Sequence, residues 1–97
     1  MTRNAFVFSI GYSGGTAIVD RKLEAKYGRL TTRELFAEGL YKAAFASALY
    51  DNNTEDLEWL RVEYSRLSGT SYRNTEELKR AFGVSEVYPA IQRTSYL

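Results

Sequence analysis

The chain opens with a stretch in which larger and smaller side chains alternate. Across residues 4–12 one side of this alternation carries Phe6, Phe8, Ile10 and Tyr12. A period of two residues is typical of a β-strand. Residues 16–20 are short and β-branched, which also favours a strand. Ser13, Gly14 and Gly15 lie between the two and tolerate the backbone angles of a tight turn, so the pattern predicts an N-terminal β-hairpin.

The glycines of residues 11–15 also permit a phosphate-binding loop. A glycine loop between a strand and a helix points backbone N–H groups at an anion. No lysine follows the last glycine, GxGxxG is absent, and no series of βαβ units follows. The hairpin is therefore the favoured interpretation, and a phosphate loop or another structural glycine loop are the alternatives.

Helical patterns dominate the next part of the chain. Asp20 is a good N-cap for a helix over residues 21–27, which Gly28 ends. Thr31 and Glu34 then form a capping-box pattern that opens a helix reaching about residue 50. Residues 43–49 of this helix are apolar apart from one serine. A helix with so little polar surface is predicted to be the buried central element.

Two more helices follow. Residues 51–54 break the long helix and cap the next one, which ends at residues 68–69. Its apolar face repeats at spacings of three and four residues through Leu57, Leu60, Tyr64 and Leu67, and is widened by Trp59 and Val62. Residues 74–77 open the last clear helix, which ends at Gly83 and turns inward Leu78, Ala81 and Phe82.

Residues 84–97 allow two interpretations. They could form a short helix begun by Ser85, with Pro89 in its permissive first turn. They could equally end as a strand over residues 90–97 that pairs with the hairpin. The fold class is therefore α+β: a single domain over residues 1–97, with an N-terminal β-hairpin packed on three or four helices and the C-terminal strand left open.

The net charge of +1 hides a division along the chain. Residues 1–33 carry six cations and two acids, a net of +4, and residues 34–78 carry four cations and nine acids, a net of −5. Residues 79–97 return to +2. The strongest local charge lies in residues 21–33, with five cations and one acid after Asp20. Such a patch favours an acidic partner.

The sequence lacks the residue types that most often carry out catalysis. Histidine and cysteine are both absent, so the commonest general base, the best nucleophile and the usual transition-metal ligands are missing. The acids near residues 51–58 are explained by helix capping. We expect no catalytic, cofactor-binding or metal-binding residues, no enzyme activity and no cofactor. The N-terminal apolar run is too short for a signal peptide or a membrane span, so we expect a cytoplasmic protein with no membrane contact.

Tyrosine and arginine are abundant, with eight tyrosines among 97 residues. These two residue types carry much of the energy of protein interfaces and also contact nucleic acids. The candidate partner-binding residues are Arg21, Lys22, Lys26, Arg29, Arg33, Tyr72, Arg73 and Arg93. In the alternative interpretation the tyrosines rim a small core and the arginines pair with glutamates at helical spacing.

Two segments resemble a helix-turn-helix in outline. In residues 32–45 a glycine interrupts two helical halves, although the second half is too apolar for an exposed recognition helix. In residues 77–93 Gln92 and Arg93 could reach bases or phosphates, although Pro89 departs from the motif.

The sequence therefore predicts a small non-catalytic protein–protein interaction module, such as an accessory, adaptor or inhibitor protein, with an Arg/Tyr-rich surface for an acidic protein. The alternative is a nucleic-acid-binding regulator with a degenerate helix-turn-helix. Homo-oligomerisation is left open.

Overall fold

The structure is a computed structural model that describes residues 1–84 and 91–97, and it has the predicted α+β architecture. The described residues form six helices and three strands. In chain order these are α1 (Arg3–Val7), β1 (Ser9–Ser13), β2 (Thr16–Val19), α2 (Arg21–Tyr27), α3 (Thr32–Ala37), α4 (Tyr41–Tyr50), α5 (Thr54–Ser68), α6 (Thr75–Phe82) and β3 (Arg93–Tyr96).

The three strands form one sheet in the order β1-β2-β3. The β1–β2 hairpin is confirmed: Ser13 pairs with Thr16 across a two-glycine turn, in which Gly14 has a φ of +59°. A strand rather than a helix follows the glycines, so they form a turn and not a phosphate loop. The C-terminal strand is also confirmed, since β3 pairs with β2 in parallel. The helix proposed from Ser85 lies outside the described residues.

The first half of the predicted N-terminal strand is wrong, because residues 3–7 form the short helix α1. The Thr2 hydroxyl caps this helix by accepting the Ala5 N–H at 3.2 Å. All four residues from Ala5 to Phe8 are buried, so side chains on every side of the turn are covered. α1 packs against both α4 and β2. Burial on all sides removes the contrast between faces on which a periodic pattern depends.

The predicted helix over residues 32–50 is two helices. Gly39 has a φ of +81°, in the left-handed region that ends helices, and it separates α3 from α4. The Leu40 N–H donates to the Leu35 carbonyl at 3.0 Å and completes the break. The buried central element is confirmed for α4, where residues 44–48 are all buried and Phe45 is fully enclosed.

The last two helices follow the predicted boundaries. Asn53 caps α5, Asn74 caps α6, and each side chain accepts a backbone N–H at 3.0 Å. The predicted inward faces are only partly correct. Leu57, Leu60 and Leu78 are buried, whereas Val62, Leu67 and Ala81 are exposed. The apolar face of α5 is therefore narrower at its C-terminal end than its leucine spacing predicts.

An aromatic cluster joins the helices α3, α4, α5 and α6. The Phe36 ring lies 4.9 Å from that of Tyr41 and 5.0 Å from that of Trp59, centroid to centroid. The Tyr64 ring lies 4.8 Å from the Phe82 ring. These tyrosines are half-buried at the edge of the core. Within the described ranges, none of the helices combines the length and the apolar character needed to cross a bilayer.

Candidate functional site

The basic segment predicted from the sequence lies on the surface. Its helix, α2, begins where the Asp20 carboxylate accepts the Leu23 N–H at 3.0 Å, and no residue of α2 is buried. Arg21, Lys22 and Lys26 are exposed on it, and Arg29 is exposed in the loop that follows. The structure therefore brings four of the predicted site residues to one exposed element and its connection to α3.

These four cations have no carboxylate partner among the described residues. No acidic oxygen of residues 1–84 or 91–97 lies within 4.0 Å of their charged groups, and this includes Glu24 of the same helix. The ion pairs that do form use other cations: Arg33, Arg61, Arg66, Arg73 and Lys79. The α2 cations, defined as Arg21, Lys22, Lys26 and Arg29, thus keep their charge available to a partner.

Aromatic rings lie beside two of the α2 cations. The Arg21 guanidinium carbon is 5.9 Å from the Tyr96 ring centroid, and the Lys26 ammonium is 5.2 Å from that of Tyr27. A cation over a ring face is attracted by the ring electrons. The Arg21 N–H also donates to the Leu97 carbonyl at 3.2 Å, which joins the start of α2 to the end of β3.

Arg93, another predicted site residue, lies at the opposite end of β3 from Tyr96. It is exposed and is paired in the sheet with Thr16. Two residues separate it from Tyr96, a distance of about 10 Å along extended chain. Successive side chains of a strand point to opposite faces, so Arg93 and Tyr96 face opposite sides of the sheet and the fold does not bring Arg93 to the Arg21–Tyr96 contact.

Arg33 is held by the fold instead. Its Nε lies 3.1 Å from Asp56 Oδ1, and its guanidinium carbon lies 4.6 Å from the Trp59 ring centroid. Both contacts come from α5, so Arg33 ties α3 to α5. Its charge is already partnered, which sets it apart from the α2 cations.

Tyr72 and Arg73 follow the alternative interpretation made from the sequence. The half-buried Tyr72 ring stacks on Tyr64 at 5.6 Å between centroids. The Arg73 N–H donates to the Glu77 carboxylate at 2.8 Å, and the Arg73 guanidinium lies 3.4 Å from it. This backbone hydrogen bond, aided by the guanidinium charge, lowers the pKa of Glu77. The pair caps the start of α6 and lies apart from the α2 cations in the chain.

The same pattern recurs along α5 at helical spacing. Arg61 forms a two-pronged pair with Glu58, in which Nε donates to Oε2 at 3.0 Å. This hydrogen bond lowers the pKa of the Glu58 carboxyl and raises the pKa of Arg61. Arg66 pairs with Glu63 in the same register. Both arginines therefore pair along α5 as the glutamate spacing indicates, and Arg61 also donates to the Tyr72 carbonyl at 2.7 Å, which ties α5 to the chain before α6.

For the first helix-turn-helix segment, residues 32–45, the structure confirms that its second half is too apolar to be an exposed recognition helix. Its second half corresponds to α4, in which residues 44–48 are buried, so α4 cannot enter a DNA groove without unfolding the core. The second segment, residues 77–93, includes residues outside the described part and stays a prediction. At its end the N–H groups of Gln92 and Arg93 both donate to the Gly15 carbonyl, at 3.1 and 3.3 Å.

A groove beside α2 was not predicted from the sequence. It lies between β1, α2 and α4, encloses about 180 Å³, and is bordered by Ile10, Leu23, Leu40, Lys42 and Ala43, together with residues 7–9. We call it the Lys42 groove. Lys42 is the one charged residue between Gly39 and Asp51, and that isolated charge in an apolar helix was the available signal.

Metal binding finds no support in the described residues, in which no three acidic side chains converge closely enough to hold an ion. Comparison with models of protein families, with curated proteins and with solved structures finds no match to this chain.

Proposed function

We propose that this chain is a small non-catalytic protein–protein interaction module that binds an acidic surface of its partner through the α2 cations. Accessory, adaptor and inhibitor proteins are the classes that fit such a module. The observation that carries the proposal is the contrast in charge pairing. The cations of α5 have glutamates beside them, whereas the α2 cations are exposed and have no carboxylate partner among the described residues.

The physical argument starts from repulsion. Like charges on one short helix repel one another, which raises the free energy of the unbound protein. An acidic partner brings opposite charges beside them and replaces this repulsion with attraction. Charge complementarity of this kind mainly raises the association rate and selects the partner. The rings of Tyr27 and Tyr96 beside the cations add apolar surface at a low cost in conformational entropy.

The experiment compares two sets of surface substitutions that change the net charge equally. One is Lys22→Glu, Lys26→Glu and Arg29→Glu; the control is Arg66→Glu, Arg80→Glu, Thr70→Asp and Ser71→Asp, at exposed positions of α5, α6 and their connection. Immobilised protein is incubated with native lysate treated with nuclease, and captured proteins are identified by mass spectrometry. The first variant should lose capture and the control should keep it, with both retaining the helical circular dichroism of the wild type. Equal capture by wild type and the first variant would contradict the proposal.

Nucleic acid is the second candidate partner. Tyr96 is 42% exposed and lies next to Arg21, an arrangement that could stack a base beside a phosphate contact. Capture that disappears with nuclease would support this candidate. A labelled single strand would then bind with an affinity that falls steeply with salt, because bound counterions are released.

A further inference from the structure

We propose that the Lys42 groove binds an acidic peptide segment of the partner, with apolar side chains on either side of a carboxylate that pairs with Lys42. This inference rests on the proposed function, since it names the part of the acidic partner that is held. The α2 cations would attract the partner, and the groove would seat one segment of it.

The walls of the groove are apolar and accessible. Ile10 of β1 is 58% exposed, and Leu23 of α2 is 37% exposed. The pairing of β1 with β2 passes from Ser9–Val19 to Gly11–Ile18, so a bulge leaves Ile10 outside the ladder. Bulges redirect side chains, and here the result is an isoleucine presented at the groove instead of one packed in the sheet.

The size of the groove fits side chains rather than a cofactor. A second cavity of about 190 Å³ has its own lining, and Ile10 and Lys42 border both cavities. Each volume lies below the ~300–1,000 Å³ that is usual for small-molecule sites. Each exceeds the ~150 Å³ of an apolar cavity that accepts a benzene-sized group. Two apolar side chains of a bound segment therefore fit, one on each side of Lys42.

The charge of Lys42 favours a carboxylate between the two apolar side chains of the bound segment. Lys42 is exposed, and it makes no ion pair or hydrogen bond through its side chain with residues 1–84 or 91–97. A segment that covered the groove would remove water from the ammonium, which costs free energy unless a carboxylate replaces that water. A neutral or basic segment is therefore disfavoured. Lys22 and Lys26 flank Leu23 in the sequence and extend the positive field along one wall.

The probe is a fluorescein-labelled peptide, Gly-Glu-Leu-Ser-Glu-Ser-Leu-Glu-Gly. In an extended chain its two leucines and its central glutamate share one side. One control peptide replaces the central glutamate with lysine, and another replaces both leucines with serine. Binding is followed by fluorescence anisotropy, and the amide chemical shifts of the protein report the place of contact.

Two groove variants are each matched with a variant at an exposed position of α5. Lys42→Glu is compared with Arg66→Glu, and Ile10→Asp with Leu67→Asp, because Leu67 is 54% exposed and outside the groove. The Lys42→Glu change should weaken binding at least about tenfold, as expected for losing a close charge pair. Ile10→Asp should also weaken it, both controls should leave it unchanged, and shifts should centre on residues 10, 42 and 43.

Several results would overturn the inference. These are the absence of binding at millimolar peptide, equal affinity for the lysine-substituted peptide, or equal losses in the groove and control variants. Self-association abolished by Ile10→Asp would instead identify a second copy of this chain as the occupant. If the α2 triple reversal lowers peptide affinity while Lys42→Glu and Ile10→Asp do not, the groove is excluded and the proposed function stands. If none of these changes lowers affinity, the peptide binds elsewhere and the inference fails, whereas the proposed function fails only if the α2 triple reversal also leaves partner capture unchanged.

Discussion

Gly28 occupies a position that only glycine fits, for a reason of space and not of backbone angle. Its φ is −66°, an ordinary helical value. A Cβ at Gly28 would lie 2.8 Å from Asn4 Nδ2 and would overlap the Glu24 carbonyl oxygen. Asn4 Nδ2 donates to the Gly28 carbonyl at 3.1 Å, so the end of α2 is held tightly against α1.

The change Gly28→Ala should therefore lower the free energy of unfolding by ~1–3 kcal/mol, the usual cost of forcing an extra carbon into a packed site. Gly11→Ala is the matched control, because nothing lies within 4 Å of its added carbon and its φ is not positive. The control should stay within about 0.5 kcal/mol of wild type. Urea unfolding measures both; similar losses in the two variants would show that the contact with α1 is not tight.

The contacts of a single residue could be predicted when its partner lies close to it in the sequence. The Arg61–Glu58 and Arg73–Glu77 pairs lie three and four residues apart, and helical spacing was enough to suggest them. The Arg3 guanidinium instead contacts acceptors 25 to 44 residues away. Spacing carries no signal for such contacts. The sequence could count Arg3 among the basic residues but could not distinguish it from the available α2 cations.

At the scale of elements, the start of α3 is fixed by two reciprocal hydrogen bonds. The Thr31 N–H donates to the Glu34 carboxylate at 3.0 Å, and the Glu34 N–H donates to the Thr31 hydroxyl at 3.3 Å. The hydrogen bonds from the Thr31 backbone and side chain lower the pKa of Glu34 below its ordinary 4.5. This motif is local, which is why the sequence predicted it.

The substitution Glu34→Gln should make the stability of the protein less dependent on acid. Glutamine keeps the geometry of the cap but cannot titrate. A carboxyl whose pKa is lower when folded stabilises the fold above its unfolded pKa, and that stabilisation is lost as the pH falls through the folded pKa. The wild type should therefore melt at a higher temperature than the variant at neutral pH, and the gap should close below about pH 4.5. A gap that stays constant from pH 7 to pH 3 would contradict this role.

Helix ends and turns were predictable where a few neighbouring residues fix them, and element type was not predictable where burial decides it. Asp20 caps α2 as predicted, and the caps of α5 and α6 lie within the predicted segments 51–54 and 74–77, at Asn53 and Asn74. The sequence predicts a strand where α1 forms. Residues 5–7 of α1 are all buried, so no exposed face marks the helical period and only the alternation of large residues remains. Gly39 indicates a break between α3 and α4, but the apolar residues around it favour one continuous helix in the sequence.

At the scale of the whole molecule, the two parts of the proposed interface differ in how far the sequence could reveal them. The α2 cations fall within nine consecutive residues, 21–29, so their charge is visible along the chain. The Lys42 groove is assembled from β1, α2 and α4, whose residues at 10, 23 and 42 meet only after folding. A patch can be predicted from local composition, whereas a groove needs the tertiary contacts that place its walls.

Arg3 joins three parts of the molecule through its side-chain hydrogen bonds. Its guanidinium donates to the Gly28 carbonyl at 3.2 Å, to the Leu30 carbonyl at 2.6 Å and to the Ser47 hydroxyl at 3.0 Å. The Thr32 hydroxyl donates to the same Ser47 oxygen at 2.8 Å. The network therefore ties α1 to the α2–α3 connection and to the central helix α4.

The change Arg3→Met keeps an apolar stem but removes every one of these donors. A single hydrogen bond from a charged group contributes about 1.5–3 kcal/mol, and three are lost here, so the free energy of unfolding should fall by at least that amount. Arg66→Met is the control, because that side chain is 70% exposed and should cost less than about 0.5 kcal/mol. Since Arg3 holds the end of α2, hydrogen exchange of the α2 amides should also accelerate more than the global loss explains. If Arg3→Met and Arg66→Met unfold at the same urea concentration, the position of α2 beside the groove is set by packing and not by this network.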